Sequence, residues 1–141
     1  MAVAVSLTLT SAADDLLSDA LALSTSTSLT KTGTATAVEH TTGLARKVVK
    51  STAKGTASGQ VTLYTADDFA AIAYLYVKNT ATTAGHKIYI YDDSTSGDPI
   101  QFQLDAADFA FIPMHGDKTY KAYSPGGNDP IVEWMVIGVD Q

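Results

Sequence analysis

The chain opens on a strict alternation. Val3, Val5, Leu7 and Leu9 fall on one side and Ala4, Ser6, Thr8 and Thr10 on the other, the period-two pattern of a strand with one buried face. The next stretch, SAADDLLSDALAL, supports two readings. Ser11 and Asp14 have the spacing of a capping box for a short helical turn over 12–16, while Leu17, Leu21 and Leu23 line one side of a strand. The strand is preferred from Leu17 onward, because the STSTSLT that follows favours extension.

Alternation returns at Val61 and Leu63 and is strongest in IAYLYVKNTATTAGHKIYIYDD, residues 72–93. Ala73, Leu75 and Val77 oppose Tyr74, Tyr76 and Lys78, and Ile88 and Ile90 oppose Tyr89 and Tyr91. Two such runs around a small polar loop predict a β-hairpin with an aliphatic face and a tyrosine face. DDSTSGDP (92–99) is a dense turn cluster. Ile100, Phe102 and Leu104 form a further strand, Phe109 to Pro113 another that the proline ends or places at an edge, and Lys118 to Tyr123 a short one. The last run, 131–139, is apolar on both faces and predicts a central strand. Some eight strands separated by turn signals point to an all-β antiparallel β-sandwich or jelly-roll-like fold. Within it, QVTLYTADDFAAI (60–72) and QFQLDAADFAFI (101–112) each set an acidic turn before Phe-Ala, and read as two similar sandwich corners.

Composition divides this pattern into unequal parts. All 12 aromatic residues lie between Tyr64 and Trp134. Residues 24–60 are rich in Thr, Ser and Ala and carry Lys31, Arg46, Lys47, Lys50 and Lys54 against the single acid Glu39, a formal +4 within a chain of net −6. The expected organisation is one domain over 1–141: N-terminal strands in 1–23, a low-complexity basic arm or long loop in 24–60, and an aromatic-rich β body in 61–141. Two readings fit this segment: a solvated loop or linker, or an arm that lies across an acidic surface of its own body or of a neighbouring identical subunit. With no cysteine, neither disulfides nor thiolate metal sites are available. The first ten residues lack the basic and long apolar regions of a secretory signal, and no apolar run has spanning length, so a soluble protein without a membrane partner is expected. Net negative charge argues against nucleic acid.

Candidate chemistry is sparse. Asp92, Ser94, Ser96 and Gly97 have the D-x-S-x-S-G spacing of a calcium loop, with Asp98 adjacent, but the twelfth position is Gln103 instead of a bidentate Glu and the flanks read as strands. An acidic turn is the plainer reading. His40, His86 and His115 show no metal-binding spacing, and no serine lies in G-x-S-x-G. The Asp pairs 14–15, 67–68 and 92–93 sit in turn contexts where aspartate serves the backbone. Neither a cofactor nor an enzymatic activity is expected.

GLARK, QVTLY, AYLYVKNTATTAG, DFAFIPM and VEWMVIGV, in that order, resemble small structural proteins of tailed bacteriophages, particularly those of cyanobacteria. The resemblance implies a β-sandwich virion protein assembled in the host cytoplasm, decorating or cementing a capsid. Its implied partners are the major capsid protein or other virion proteins. A tail or baseplate component is the alternative within that class, and a carbohydrate-binding receptor-recognition module the alternative outside it. On the residues themselves, a homo-oligomer is expected, with Tyr74, Tyr76, Tyr89 and Tyr91 facing a partner and Lys31, Arg46, Lys47, Lys50 and Lys54 on the arm.

Overall fold

The computed structural model describes residues 2–13, 20–30, 40–51, 58–70, 72–94, 97 and 99–139. The chain divides into two compact units, Met1–Glu39 and His40–Gln141.

In the first unit, β1 (Ala2–Ser11) and β2 (Leu21–Thr30) pair antiparallel without interruption from Ala2↔Thr30 to Ser11↔Leu21. This register puts Val3, Val5, Leu7 and Leu9 on the same face as Leu21, Leu23 and Leu29, and leaves small and hydroxyl side chains on the other. Residues 24–30 are therefore strand, and the expected arm over 24–60 is not what the described residues form. Alternating leucines among β-favouring threonines extend the ladder where low complexity alone suggested a loop.

The second unit begins with β3 (His40–Thr41), β4 (Ala45–Val48), β5 (Val61–Tyr64), β6 (Ile72–Asn79) and β7 (Ile88–Asp92). It continues with β8 (Ile100–Leu104), β9 (Phe109–His115), β10 (Tyr120–Tyr123) and β11 (Ile131–Gly138). They form an antiparallel sandwich. One sheet has five strands: β3 and β4 both pair with one edge of β11, followed by β6 and β9. The other has four, in the order β5-β10-β7-β8. Central β11 is the strand whose sequence is apolar on both faces. Pro113 lies within β9 at the edge of its sheet, where a missing N–H is tolerated.

The hairpin expected over 72–93 does not form. Both strands exist and their faces alternate as read, but β6 pairs with β9 and β11 while β7 pairs with β8 and β10. The loop carries the chain from one sheet to the other. A period-two pattern shows which side of a strand is buried and leaves the neighbour open, so two aliphatic faces opposed across a core satisfy it as well as two adjacent strands do.

That core is made by Ala73, Leu75, Val77, Val132 and Val136 from one sheet and Val61, Leu63, Ile88, Ile90 and Ala122 from the other, all buried. Each fully buried Val, Leu or Ile contributes about 1.5–3 kcal/mol. Polar tips inside it are bonded: Trp134 Nε1 donates to the Leu63 carbonyl at 2.9 Å, tying the sheets together, and Tyr64 Oη donates to the His115 carbonyl at 2.9 Å. Asn79, fully buried, donates from Nδ2 to the carbonyls of His86 (2.7 Å) and Leu104 (3.3 Å) and accepts from Ala81 N–H at 3.1 Å.

The two echoing segments are both sheet-crossing corners with one geometry. Asp68 accepts from Thr65 N–H at 2.6 Å while Asp68 N–H donates back to the Thr65 carbonyl; Asp108 and Asp105 repeat the exchange at 3.0 and 3.1 Å. Phe69, which follows the first, fills the core beside Gly138, where an added Cβ would fall 2.5 Å from Phe69 Cδ1 and 2.9 Å from the Ile72 carbonyl.

Candidate interaction surface

The outward face of the five-stranded sheet is built in rows fixed by strand register. Pro113, Tyr74 and Ile137 make one row, Phe111, Tyr76 and Met135 the next, and Phe109, Lys78, Glu133 and Arg46 a third; Ile131 and Val48 extend it. Its apolar members come from alternate positions whose other neighbours fill the core, so the pattern that buries Leu75 and Val77 necessarily turns Tyr74 and Tyr76 outward. Tyr74 and Phe111 stack with centroids 6.1 Å apart and planes 12° from parallel, and both stay half-buried. Phe109 is 63% exposed, an unusual position for a phenylalanine.

Charge on this face is held in place. Glu133 accepts from Tyr76 Oη at 3.0 Å and pairs with Arg46 Nε at 3.3 Å, so one carboxylate anchors an aromatic and a guanidinium. Burial, and then the bond and charge of Glu133, raise the Tyr76 hydroxyl pKa above its ordinary value and keep it a donor. Tyr, Phe, Met and Arg around a fixed ion pair are the residue types enriched where proteins meet.

The four tyrosines predicted to face a partner do not share a surface. Tyr74 and Tyr76 lie on this face, whereas Tyr89 and Tyr91 belong to β7 in the other sheet. Tyr91 is 0% exposed: its ring meets the edge of Tyr123 at 5.7 Å and its hydroxyl donates to Gln60 Oε1 at 2.7 Å. It is buried within the chain. Tyr89 is half-buried and stacks on Tyr123 at 5.4 Å.

The basic residues scatter likewise. Arg46 belongs to the face just described; Lys47 is exposed on β4; Lys50 Nζ pairs with Asp129 at 2.7 Å, and Ser51 N–H donates to the same carboxylate, holding the Asp129 pKa below its usual value. Lys31 and Lys54 lie outside the described residues. Of the weak calcium set, Asp92 Oδ1 accepts from Ser94 N–H at 2.8 Å and Ser94 Oγ accepts from Thr119 N–H, so both serve the turn; Ser96 and Asp98 lie outside the described residues. Asp93 pairs with Lys121. Among the described residues no group of three or more His, Asp or Glu side chains is placed to hold a metal ion.

Of the residues named from the sequence, Tyr74, Tyr76 and Arg46 lie on this face; Glu133, Met135 and the exposed Phe109 lie beside them and were not singled out. The double-sided apolar run 131–137 carried the missing signal: the outward half of a central strand points at whatever covers that sheet. Comparison with known proteins found no matching family model, no matching curated protein and no matching solved structure.

Proposed function

We propose that this is a non-enzymatic structural protein of a tailed-phage virion, a capsid decoration or cement protein that bridges and stabilises capsid subunits. The observation that carries the reading is the aromatic outer face of the five-stranded sheet, with Phe109 and Phe111 beside Tyr74 and Tyr76 and an ordered Arg46–Glu133 pair. Its size matters. Four strands about 4.8 Å apart and four rows about 7 Å apart give a planar patch of roughly 540 Å², about two thirds of the ~800 Å² each partner contributes to a standard interface. One such contact is weak, and many on a repeating shell are strong through multivalency. Such a surface suits assembly better than one-to-one recognition.

The sandwich order supports the same reading. Strands β4-β11-β6-β9 facing β5-β10-β7-β8 follow the nested connection of a jelly roll, an architecture used by viral capsid and lectin domains. Of the paired carboxylates named from the sequence, Asp68 closes a corner, Asp92 caps a turn and Asp93 pairs with Lys121. The virion setting rests on the sequence resemblance.

The test is sedimentation of the purified chain with phage heads, and separately with tails, that lack it. Saturable binding to heads with a rise in their thermal stability is the expected result. Binding to tails alone would move the protein to the tail or baseplate, and binding to neither would end the virion reading.

A further inference from the structure

We propose that two copies of the chain join edge to edge through β1, forming a four-stranded antiparallel sheet across a twofold axis at Ser6. The observation begins with what the first unit lacks. Residues 2–13 and 20–30 contain no charged side chain and no proline, and β1 and β2 run ten residues in continuous register without a bulge. Charges, prolines and bulges are the devices that protect sheet edges from further pairing. Among the described residues β1 pairs with β2 alone.

The ribbon also carries apolar surface that two strands leave open: Leu7, Leu9 and Leu23 are 47%, 46% and 57% exposed. An isolated two-stranded ribbon is marginal in water, and three or more strands with an apolar face are needed for independent stability.

A second copy is the occupant that the chemistry selects. An edge without charge offers nothing to an acidic or basic partner, and is matched by an edge equally neutral. The β1 sequence is also complementary to itself. With the axis at Ser6, Val3 faces Leu9 of the partner subunit and Val5 faces Leu7 of the partner subunit on the apolar side. On the other side Ala2 meets Thr10 of the partner subunit and Ala4 meets Thr8 of the partner subunit. Apolar thus meets apolar at every such pair, and the apolar strip widens to about 19 Å across four strands. The β2 edge is poorer: even its best axis, at Ser26, sets Leu23 against Leu29 of the partner subunit but Thr25 against Thr27 of the partner subunit, where β1 places Val5 against Leu7 of the partner subunit.

The inference takes only its biological setting from the virion reading. Its tests read association of the free chain, so each can fail without the other. Light scattering behind gel filtration of the full chain should give twice 14.8 kDa. Ser6 is exposed and would face itself across the axis, so Ser6→Lys and Ser6→Glu should each halve the mass, with an equimolar mixture restoring it. The chain has no cysteine, so Ser6→Cys introduces a lone thiol. Opposed antiparallel residues lie about 4.5–5.5 Å apart, within disulfide range, and mild oxidation should link Ser6→Cys chains completely while leaving Ser28→Cys chains unlinked. A 14.8 kDa wild-type species, a Ser6→Lys mass equal to wild type, a mixture that stays at 14.8 kDa, or equal cross-linking of both cysteine variants would overturn the proposal.

Discussion

Single side chains carry much of the sandwich's specificity, and Asn79 is the clearest case. Its amide makes three hydrogen bonds while fully buried, closing the loop between β6 and β7. Asn79→Leu would keep the volume and strand two carbonyls and an amide, so a loss of about 2–4 kcal/mol in denaturant unfolding is expected, with the slope unchanged. Tyrosine chemistry gives a second outcome. Burial is the main cause raising the hydroxyl pKa values of Tyr64, Tyr76, Tyr120 and Tyr123 above the ordinary 10.0. Below pH 10 folded and unfolded chains both hold these protons and stability does not depend on them; above it the unfolded chain ionises first, and stability falls as pH rises. The share of the tyrosinate absorbance that these four contribute should therefore rise together with loss of the β circular dichroism. Absorbance that rises fully while the β signal persists would contradict the burial described.

Strands were the legible level of this sequence, and their partners were not. The faces of β6, β7 and β11 follow from the alternation of Ala73, Leu75 and Val77, of Ile88 and Ile90, and of Val132, Trp134 and Val136. Pairing of β6 with β7 was misread because alternation is blind to which neighbour lies alongside. The aromatic outer face was legible only in part: alternation sets Tyr74 and Tyr76 opposite Leu75 and Val77, but Met135 and Glu133 join them through a register across β11 that no local pattern encodes. The two Asp-closed corners give a test at this scale. Asp68→Ala and Asp108→Ala should each cost about 1 kcal/mol, since the same side-chain bond to the backbone is lost in both. The phenylalanines that follow diverge: Phe69→Ala should cost about 3–5 kcal/mol, whereas Phe109→Ala, 63% exposed, should stay within about 0.5 kcal/mol. Equal losses would mean that Phe109 is covered in the free protein.

At the scale of the molecule, each unit offers a surface of different chemistry. The β1 and β2 strands are uncharged and carry a Val/Leu face, suited to pairing with their own kind; the sandwich face is aromatic and bears an ion pair, suited to a different protein. Self-association through the first would present two copies of the second, which is how a patch too small for tight single contact gains avidity. The direct test is a binding isotherm of the purified chain on phage heads that lack it, with changes confined to one side of the sandwich at a time. Tyr76→Ala with Phe111→Ala should weaken binding at least about 30-fold, the loss of roughly 2 kcal/mol expected of a central aromatic pair, while Tyr89→Ala on the other sheet leaves it unchanged. Wild-type binding by the double variant, with loss in Tyr89→Ala, would contradict the assignment of the outer face of the five-stranded sheet.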